Sequence, residues 1–301
     1  MKLATLLSLN RSNLALLIGN GINRYGTHIK GSSWDDLLNA LARKYLDPSH
    51  KNVPKGISLT ELYDVLDLRN SSESGEKNLQ KQFCDLMVSW KPLPQHERIA
   101  IWARHHDVPV LTTNFESTLG DAVDCRLHRT RASRFTAYYP WDSYFSDGTD
   151  DDPCHHFAIW HINGMQRYRQ SVRLGLSHYM GSVERARAWL HKGSYRLFSG
   201  SDTRSWAGAS TWLQILFHKP LLIFGLALAE NEVFLRWLLI ERAKYYKKFP
   251  DRRQEAWYVH TPSEDDLGKL FFLTGVDVQL VEVKNYDEIY GVETWKLLAA
   301  K

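Results

Sequence analysis

A chain of 301 residues is long enough for two ordinary domains or one large α/β unit, and its 44% hydrophobic and 24% charged residues exclude a disordered or fibrous protein. The net charge of +4 is mild, and basic residues such as Arg126, Arg129, Arg131 and Arg134 are interspersed with acidic ones, which argues against direct nucleic-acid binding. Three separated cysteines, Cys84, Cys125 and Cys154, form no C-x-x-C pair, so a disulfide framework and a four-cysteine zinc site are both excluded and a reducing, cytoplasmic setting is expected.

Met1-Lys2 followed by Leu3 to Leu9 has the outline of a signal peptide, but the apolar stretch is short and no small-residue cleavage pattern follows. Leu14 to Ile18 reads as a buried strand that breaks into Gly19-Asn20-Gly21-Ile22-Asn23-Arg24. Ser33 is placed to cap a helix with Asp36 at its third position, and Trp34, Leu37, Leu38, Leu41 and Tyr45 repeat at helical spacing until Pro48. Further amphipathic stretches run from Leu59 to Leu68 and from Leu79 to Trp90, separated by a polar link from Asn70 to Gly75. A simple βαβ unit needs one crossover helix. The excess predicts a helical insertion at about 32–105, either roofing a pocket or packing on the sheet face.

The helix Gln95 to His105 leads into a second strand, Val108 to Leu111, which ends in Thr112-Thr113-Asn114-Phe115-Glu116. A helix is expected from Ser117 to Val123, then a Tyr-, Arg- and Asp-rich stretch from Arg126 to Asp152 whose end, Asp147 to Asp152, reads as an exposed loop. Phe157 to Trp160 is a third strand, breaking into His161-Ile162-Asn163-Gly164. Helices follow from about Val183 to Leu190 and from Ser210 to Phe217. A strand at Leu221 to Phe224 then ends in Gly225-Leu226-Ala227 and precedes a long helix from Glu230 to about Lys247. Two short strands, Ala256 to Val259 and Val278 to Val281, complete the pattern. Pro220 to Ala229, the longest apolar run, is about half of the roughly 20 residues that cross a bilayer, so no membrane span is expected. Strands alternating with helices predict an α/β fold, Rossmann-like, with a doubly wound, mostly parallel sheet.

In such sheets ligands sit outside the carboxyl ends of the strands. A Gly-x-Gly turn after a strand brings backbone amides close to phosphate, although glycine turns also arise for purely steric reasons. It is not the full dinucleotide fingerprint, since Arg24 stands at the sixth position, and no P-loop Lys-Ser/Thr pair follows. Asn114 has an ordinary role open to it, closing a turn through its side chain, and a lone histidine such as His161 is usually a satisfied core residue. A carboxamide, an imidazole and a glycine turn at three strand ends of one sheet make the combination specific.

The ordered set Leu16 to Asn23, Thr112 to Glu116, Trp160 to Gly164, Leu176-Ser177 and Ile223 to Leu228 resembles sirtuin-like domains, most of all the divergent bacterial branch that hydrolyses NAD⁺ in anti-phage defence. The resemblance spans nearly the whole chain, as one domain over residues 1–301. It implies that Gly19, Asn20, Gly21, Ile22 and Asn23 hold the phosphates and ribose of NAD⁺. Asn114 matches the asparagine that holds a ribose hydroxyl or the attacking water, with Thr113 beside it, and Gly225 with Leu226 matches the turn against the adenosine. In many relatives a histidine directly precedes the glycine of the third motif; here Asn163 precedes Gly164 and His161 lies two residues earlier. Strand alternation would put His161 and Asn163 on the same side, so His161 is expected as the base.

The zinc module of the protein deacylases is absent, so no zinc is expected, and the close run of Cys154, His155, His156 and His161 forms no known ligand pattern. The resemblance implies an NAD⁺ glycohydrolase releasing nicotinamide and ADP-ribose in abortive infection, with NAD⁺ as substrate. It further implies control through a homo-oligomer or a partner, the nearest pattern being a stand-alone sirtuin-like subunit paired with a HerA-type hexameric ATPase, as in Nezha systems. Two other readings stand beside it: a module that senses NAD⁺ or ADP-ribose without turning it over, and a zinc-free protein deacylase.

Overall fold

The computed structural model describes residues 2–11, 13–26, 33–70, 78–130, 139–148, 150, 152–200, 202–229, 232–262 and 267–297. Arg131, Arg134, Thr149, Asp151, Glu230 and the link from Ser71 to Gly75 lie outside the described residues. The helices are α1 (Leu3–Asn10), α2 (Gly21–Arg24), α3 (Trp34–Tyr45), α4 (Leu59–Arg69), α5 (Leu79–Asp85), α6 (Pro94–His105), α7 (Thr118–Asp121), α8 (Leu176–His191), α9 (Trp212–His218), α10 (Val233–Lys248), α11 (Leu267–Gly275) and α12 (Asp287–Tyr290). The strands are β1 (Ala15–Ile18), β2 (Val110–Thr112), β3 (Arg126–Arg129), β4 (Ser143–Ser146), β5 (Ile159–His161), β6 (Leu221–Phe224), β7 (Ala256–His260) and β8 (Gln279–Glu282).

Among the described residues, the eight strands form one sheet in the order β3-β4-β5-β2-β1-β6-β7-β8. The pairs from β5 through β8 are parallel, while β3–β4 and β4–β5 are antiparallel. The chain is therefore α/β and Rossmann-like. Alternate residues of the buried parallel strands serve two cores, as the period of two requires. Ala15, Leu17, Leu111, Trp160 and Ile223 face α8, α9 and α10. Leu16, Ile18, Val110, Ile159 and Phe224 face α1, α6 and the C-terminal segment. From β1 the chain steps to β2 on one side and later returns to β6 on the other, so the β1/β6 boundary is the topological switch point.

Three stretches depart from the sequence-based expectation. The N-terminal leucines form α1 and bury Leu3, Leu6 and Leu7 in the second core. The stretch from Arg126 holds two strands, β3 and β4, which extend the sheet by an antiparallel ladder. Helix α8 starts at Leu176 and not near Val183, because Leu176 donates its backbone N–H to the Asp64 carboxylate at 2.9 Å and begins the first turn there. Among the described residues no helix is long and apolar enough to cross a membrane.

Helices α3, α4 and α5 have their own core, in which Leu38, Leu62, Leu66 and Phe83 pack with Phe115 and Leu174. Ser33 accepts the Asp36 N–H at 3.1 Å, and Ser58 and Glu61 cap α4 reciprocally, contacts each worth about 1 kcal/mol. Helix α6 stands apart: Ile99, Ala100 and Trp102 pack on the sheet, making it the crossover helix of the β1–β2 unit. Phe115 follows the end of β2, so the α3–α5 module covers the carboxyl end of the strands, with Phe83 and Trp34 meeting the Phe115 ring edge-on at 5.7 and 6.5 Å.

Candidate functional site

Register brings the strand ends together. Ile18 of β1 is level with Thr112 of β2 and Phe224 of β6, and Thr112 with His161 of β5. Beyond that line lie the four expected segments, Gly19 to Asn23, Thr113-Asn114, His161 to Gly164 and Gly225-Leu226. The Thr112 hydroxyl donates to the Ile18 carbonyl at 3.0 Å and accepts the Asn114 N–H at 3.1 Å. The Thr113 N–H adds one more bond to the Ile18 carbonyl, at 3.1 Å. Short hydroxyl-to-backbone bonds of this kind close turns.

His161 is buried at the end of β5, its ring edge against Phe145. Its Nδ1 lies 2.8 Å from the Asn114 carbonyl. A carbonyl only accepts, so Nδ1 carries the proton and Nε2 presents a lone pair. Nε2 has no partner, nor has either polar atom of the Asn114 carboxamide, and all three are buried. Burial pushes the His161 imidazole down to about 4, so the ring is neutral around pH 7. Orphaned buried polar groups cost about 1–3 kcal/mol each, and these three belong to two residues joined by one hydrogen bond at the strand ends.

Beside them Glu116 is fully buried, and that burial raises its carboxyl above the usual range. Its Oε1 accepts from Asn23 Nδ2 at 2.8 Å and from the Thr118 hydroxyl at 3.2 Å. The Asn114 carboxamide comes close enough to favour the ionised form, without hydrogen-bond geometry. Asn23 also donates to Asn20 Oδ1 at 2.8 Å and meets His96 Nε2 at 2.9 Å. Glu116 and His96 are site residues that the motif reading does not single out. The carboxylate stands in plain view in the Thr-Thr-Asn-Phe-Glu run; His96 is remote in sequence, and nothing local flags it.

The glycines have a packing reason. Gly21 donates its N–H to the Gly225 carbonyl at 2.8 Å, so that amide is engaged within the protein. A Cβ on Gly21 would lie 2.5 Å from the Tyr290 hydroxyl and 2.7 Å from Gly225 Cα. Gly225 has φ +69° and faces the same hydroxyl at 2.5 Å. Leu226 closes over Gly19, its Cγ 2.6 Å from where a Cβ would stand, and its carbonyl accepts from the Tyr258 hydroxyl at 2.6 Å. Ile22 is a core residue of the second cluster.

The third motif bends earlier than strand alternation supposes. β5 ends at His161, and Ile162-Asn163 form a turn, so alternation does not set the side on which Asn163 lies. The Asn163 carbonyl accepts the Arg173 N–H at 2.9 Å, and Gly164, at φ +97°, is held where a Cβ would strike the Ser171 carbonyl. Of the expected base candidates, His161 alone is tied to Asn114.

An open depression of about 580 Å³ lies nearby between Val88, Ser117 and the 3₁₀ segment Gln166–Ser171, but includes none of these groups. Arg167 and Arg169 on its rim are exposed, and Arg169 pairs with Asp85 at 3.1 Å. Among the described residues no group of three His, Cys, Asp or Glu side chains is placed to hold a metal ion. Cys154 is buried, with its thiol toward the Thr211 carbonyl at 3.4 Å. Neither the models of known protein families nor the curated proteins contain a match to this chain.

Proposed function

We propose that the chain is an NAD⁺ hydrolase whose reacting groups are Asn114 and His161. The observation that carries this reading is the trio of buried, unpartnered atoms, Asn114 Oδ1, Asn114 Nδ2 and His161 Nε2, at the carboxyl end of a Rossmann-like sheet. A ligand rich in hydroxyls and an amide, with a ribose and a nicotinamide, would satisfy all three. The glycine turns Gly19 to Asn23 and Gly225-Leu226, at the switch point, are where the rest of the dinucleotide would lie.

The scissile N-glycosidic bond of NAD⁺ carries a positive charge, so nicotinamide departs as a neutral molecule and needs no acid. The bond pair goes to the pyridine nitrogen and an oxocarbenium-like sugar develops. Water then adds to the anomeric carbon and its proton passes to His161 Nε2 and on to solvent. Holding ribose and water in place can contribute up to about 7–11 kcal/mol, and a histidine base about 10²–10⁴-fold. With its pKa near 4, His161 is ready as an acceptor at neutral pH but weak as a base, which puts most of the work on Asn114 and on positioning.

The resemblance to sirtuin-like effectors extends this proposal to anti-phage defence, with the activity switched on through a homo-oligomer or a HerA-type ATPase partner. Nicotinamide and ADP-ribose release from NAD⁺ by the purified chain, alone and with such a partner, tests the reading beside an Asn114→Ala control. Release that vanishes in the control supports it. Tight NAD⁺ binding without release moves the function to a sensing module, and release that depends on an acylated peptide moves it to a deacylase.

A further inference from the structure

His96 is the second buried histidine behind the glycine turn, in the first turn of α6 and with no exposed surface. The Leu93 N–H donates to its Nδ1 at 2.9 Å. That bond leaves the ring proton on Nε2, which donates to Asn23 Oδ1 at 2.9 Å. The Asn23 amide can then face only one way. Reversed, its NH₂ would meet the His96 N–H and its carbonyl would meet the Glu116 carboxylate, donor against donor and acceptor against acceptor. In the orientation present, its two hydrogens go to Asn20 Oδ1 and Glu116 Oε1, both at 2.8 Å. Gln95, the neighbour of His96, clamps the same short helix by donating to the Ile22 and Tyr25 carbonyls at 2.8 and 2.9 Å.

We propose that His96 is a positioning residue that, through Asn23, sets the Glu116 carboxyl and the Asn20 side chain at the floor of the site. Asn23 therefore serves the site from behind, with both amide hydrogens committed to protein oxygens, and does not itself reach the ligand. The chain of contacts runs from the α6 N-terminus through α2 to the turn after β2, and so ties three elements that are far apart in sequence. Its use in catalysis rests on the NAD⁺-hydrolase reading; its geometry does not.

The test has one readout that needs no turnover. In protein carrying ¹³C at the glutamate carboxyls, with the Glu116 signal assigned through Glu116→Gln, His96→Ala is expected to shift that signal and His96→Gln to return it, since the glutamine amide can offer one acceptor and one donor. Should His96→Ala fail to fold, Asn23→Asp, nearly isosteric but facing Glu116 with oxygen, is expected to give the same shift. An unmoved Glu116 signal in either folded variant overturns the proposal. In the kinetic readout His96→Ala lowers kcat for nicotinamide release by about 10²-fold, the usual cost of a small misplacement, with KM less affected, and His96→Gln restores most of it. Wild-type kcat in His96→Ala overturns the positioning role. Absence of turnover in the wild type would remove the hydrolase reading and leave the carboxyl signal to decide this one.

Discussion

His161 Nδ1 donates to the backbone carbonyl of Asn114 at 2.8 Å, so the last residue of β5 and the turn after β2 are locked to each other through one proton. The bond fixes the imidazole tautomer and leaves Nε2 without a partner, and the Asn114 carboxamide makes no hydrogen bond of its own. The carboxamide acts on the fold only by favouring the ionised form of Glu116, so removing it should change stability by no more than about 1 kcal/mol. Asn114→Ala is therefore expected to abolish nicotinamide release while leaving the midpoint of urea unfolding close to that of the wild type. A loss of stability above about 1 kcal/mol would show that the carboxamide has a structural partner, and wild-type turnover would remove it from the mechanism.

Burial holds both His161 and His96 down at about 4, below the ordinary histidine value of 6.5. Each therefore takes up its proton more readily in the unfolded chain. Their contribution to stability is fully present above pH 6.5, falls as pH drops from 6.5 towards 4, and levels off below that. A shift of this size is worth up to about 3 kcal/mol per histidine. Urea denaturation at a series of pH values should show stability declining across that window, and His96→Gln should flatten the slope. A profile without slope between pH 6.5 and 4 would mean that neither ring is held neutral by burial.

The same direction sets the pH dependence of turnover. The base form of His161 persists down to its folded value, so kcat/KM for NAD⁺ should stay level from pH 8 to about 5 and fall only towards 4. A fall centred near 6.5 would point to an exposed histidine as the base.

Much of the fold is legible in the residues because the central strands are short, fully apolar runs that end abruptly in polar turns. Leu14 to Ile18 and Leu221 to Phe224 can be buried only in the middle of a sheet. β3 escapes notice for the opposite reason: Arg-Leu-His-Arg lies at the sheet edge, partly exposed, and carries one apolar side chain. Asn114 and His161 are visible as strand-end residues, and their hydrogen bond follows from strand order. Asn23 stands in the glycine turn where the sequence puts it, but its work there is hidden, since its partner His96 comes from α6 and only the tertiary fold brings them together. Glycines chosen for close packing against Tyr290 look the same in sequence as glycines chosen for phosphate.

Gly225 offers a direct test of that packing. Its φ is +69°, and a methyl carbon added there would stand 2.5 Å from the Tyr290 hydroxyl, with Gly19 O 3.2 Å away on the other side, which leaves no room for a side chain. Gly225→Ala should cost about 1–3 kcal/mol through strain and overpacking. Tyr290→Phe, which removes the hydroxyl, should recover part of that loss in the double variant, and thermal unfolding of the four proteins measures it. Additive losses would show that backbone strain alone disfavours alanine there.

Phe115 joins the roof to the floor. It separates Asn114 from Glu116 in sequence and takes the rings of Phe83 and Trp34 against its own, so the α3–α5 module is anchored on the residue between two polar groups of the site. Phe115→Ala should cost about 3–5 kcal/mol, as for other buried aromatic truncations, and the loss should fall first on the module, seen as faster amide exchange in α3 to α5 than in β1 and β2. Phe115→Leu keeps most of the apolar volume and is expected to lose under half as much. If exchange quickens equally in the module and the central strands, the module has no independent opening and the roof is simply part of the sheet's own core.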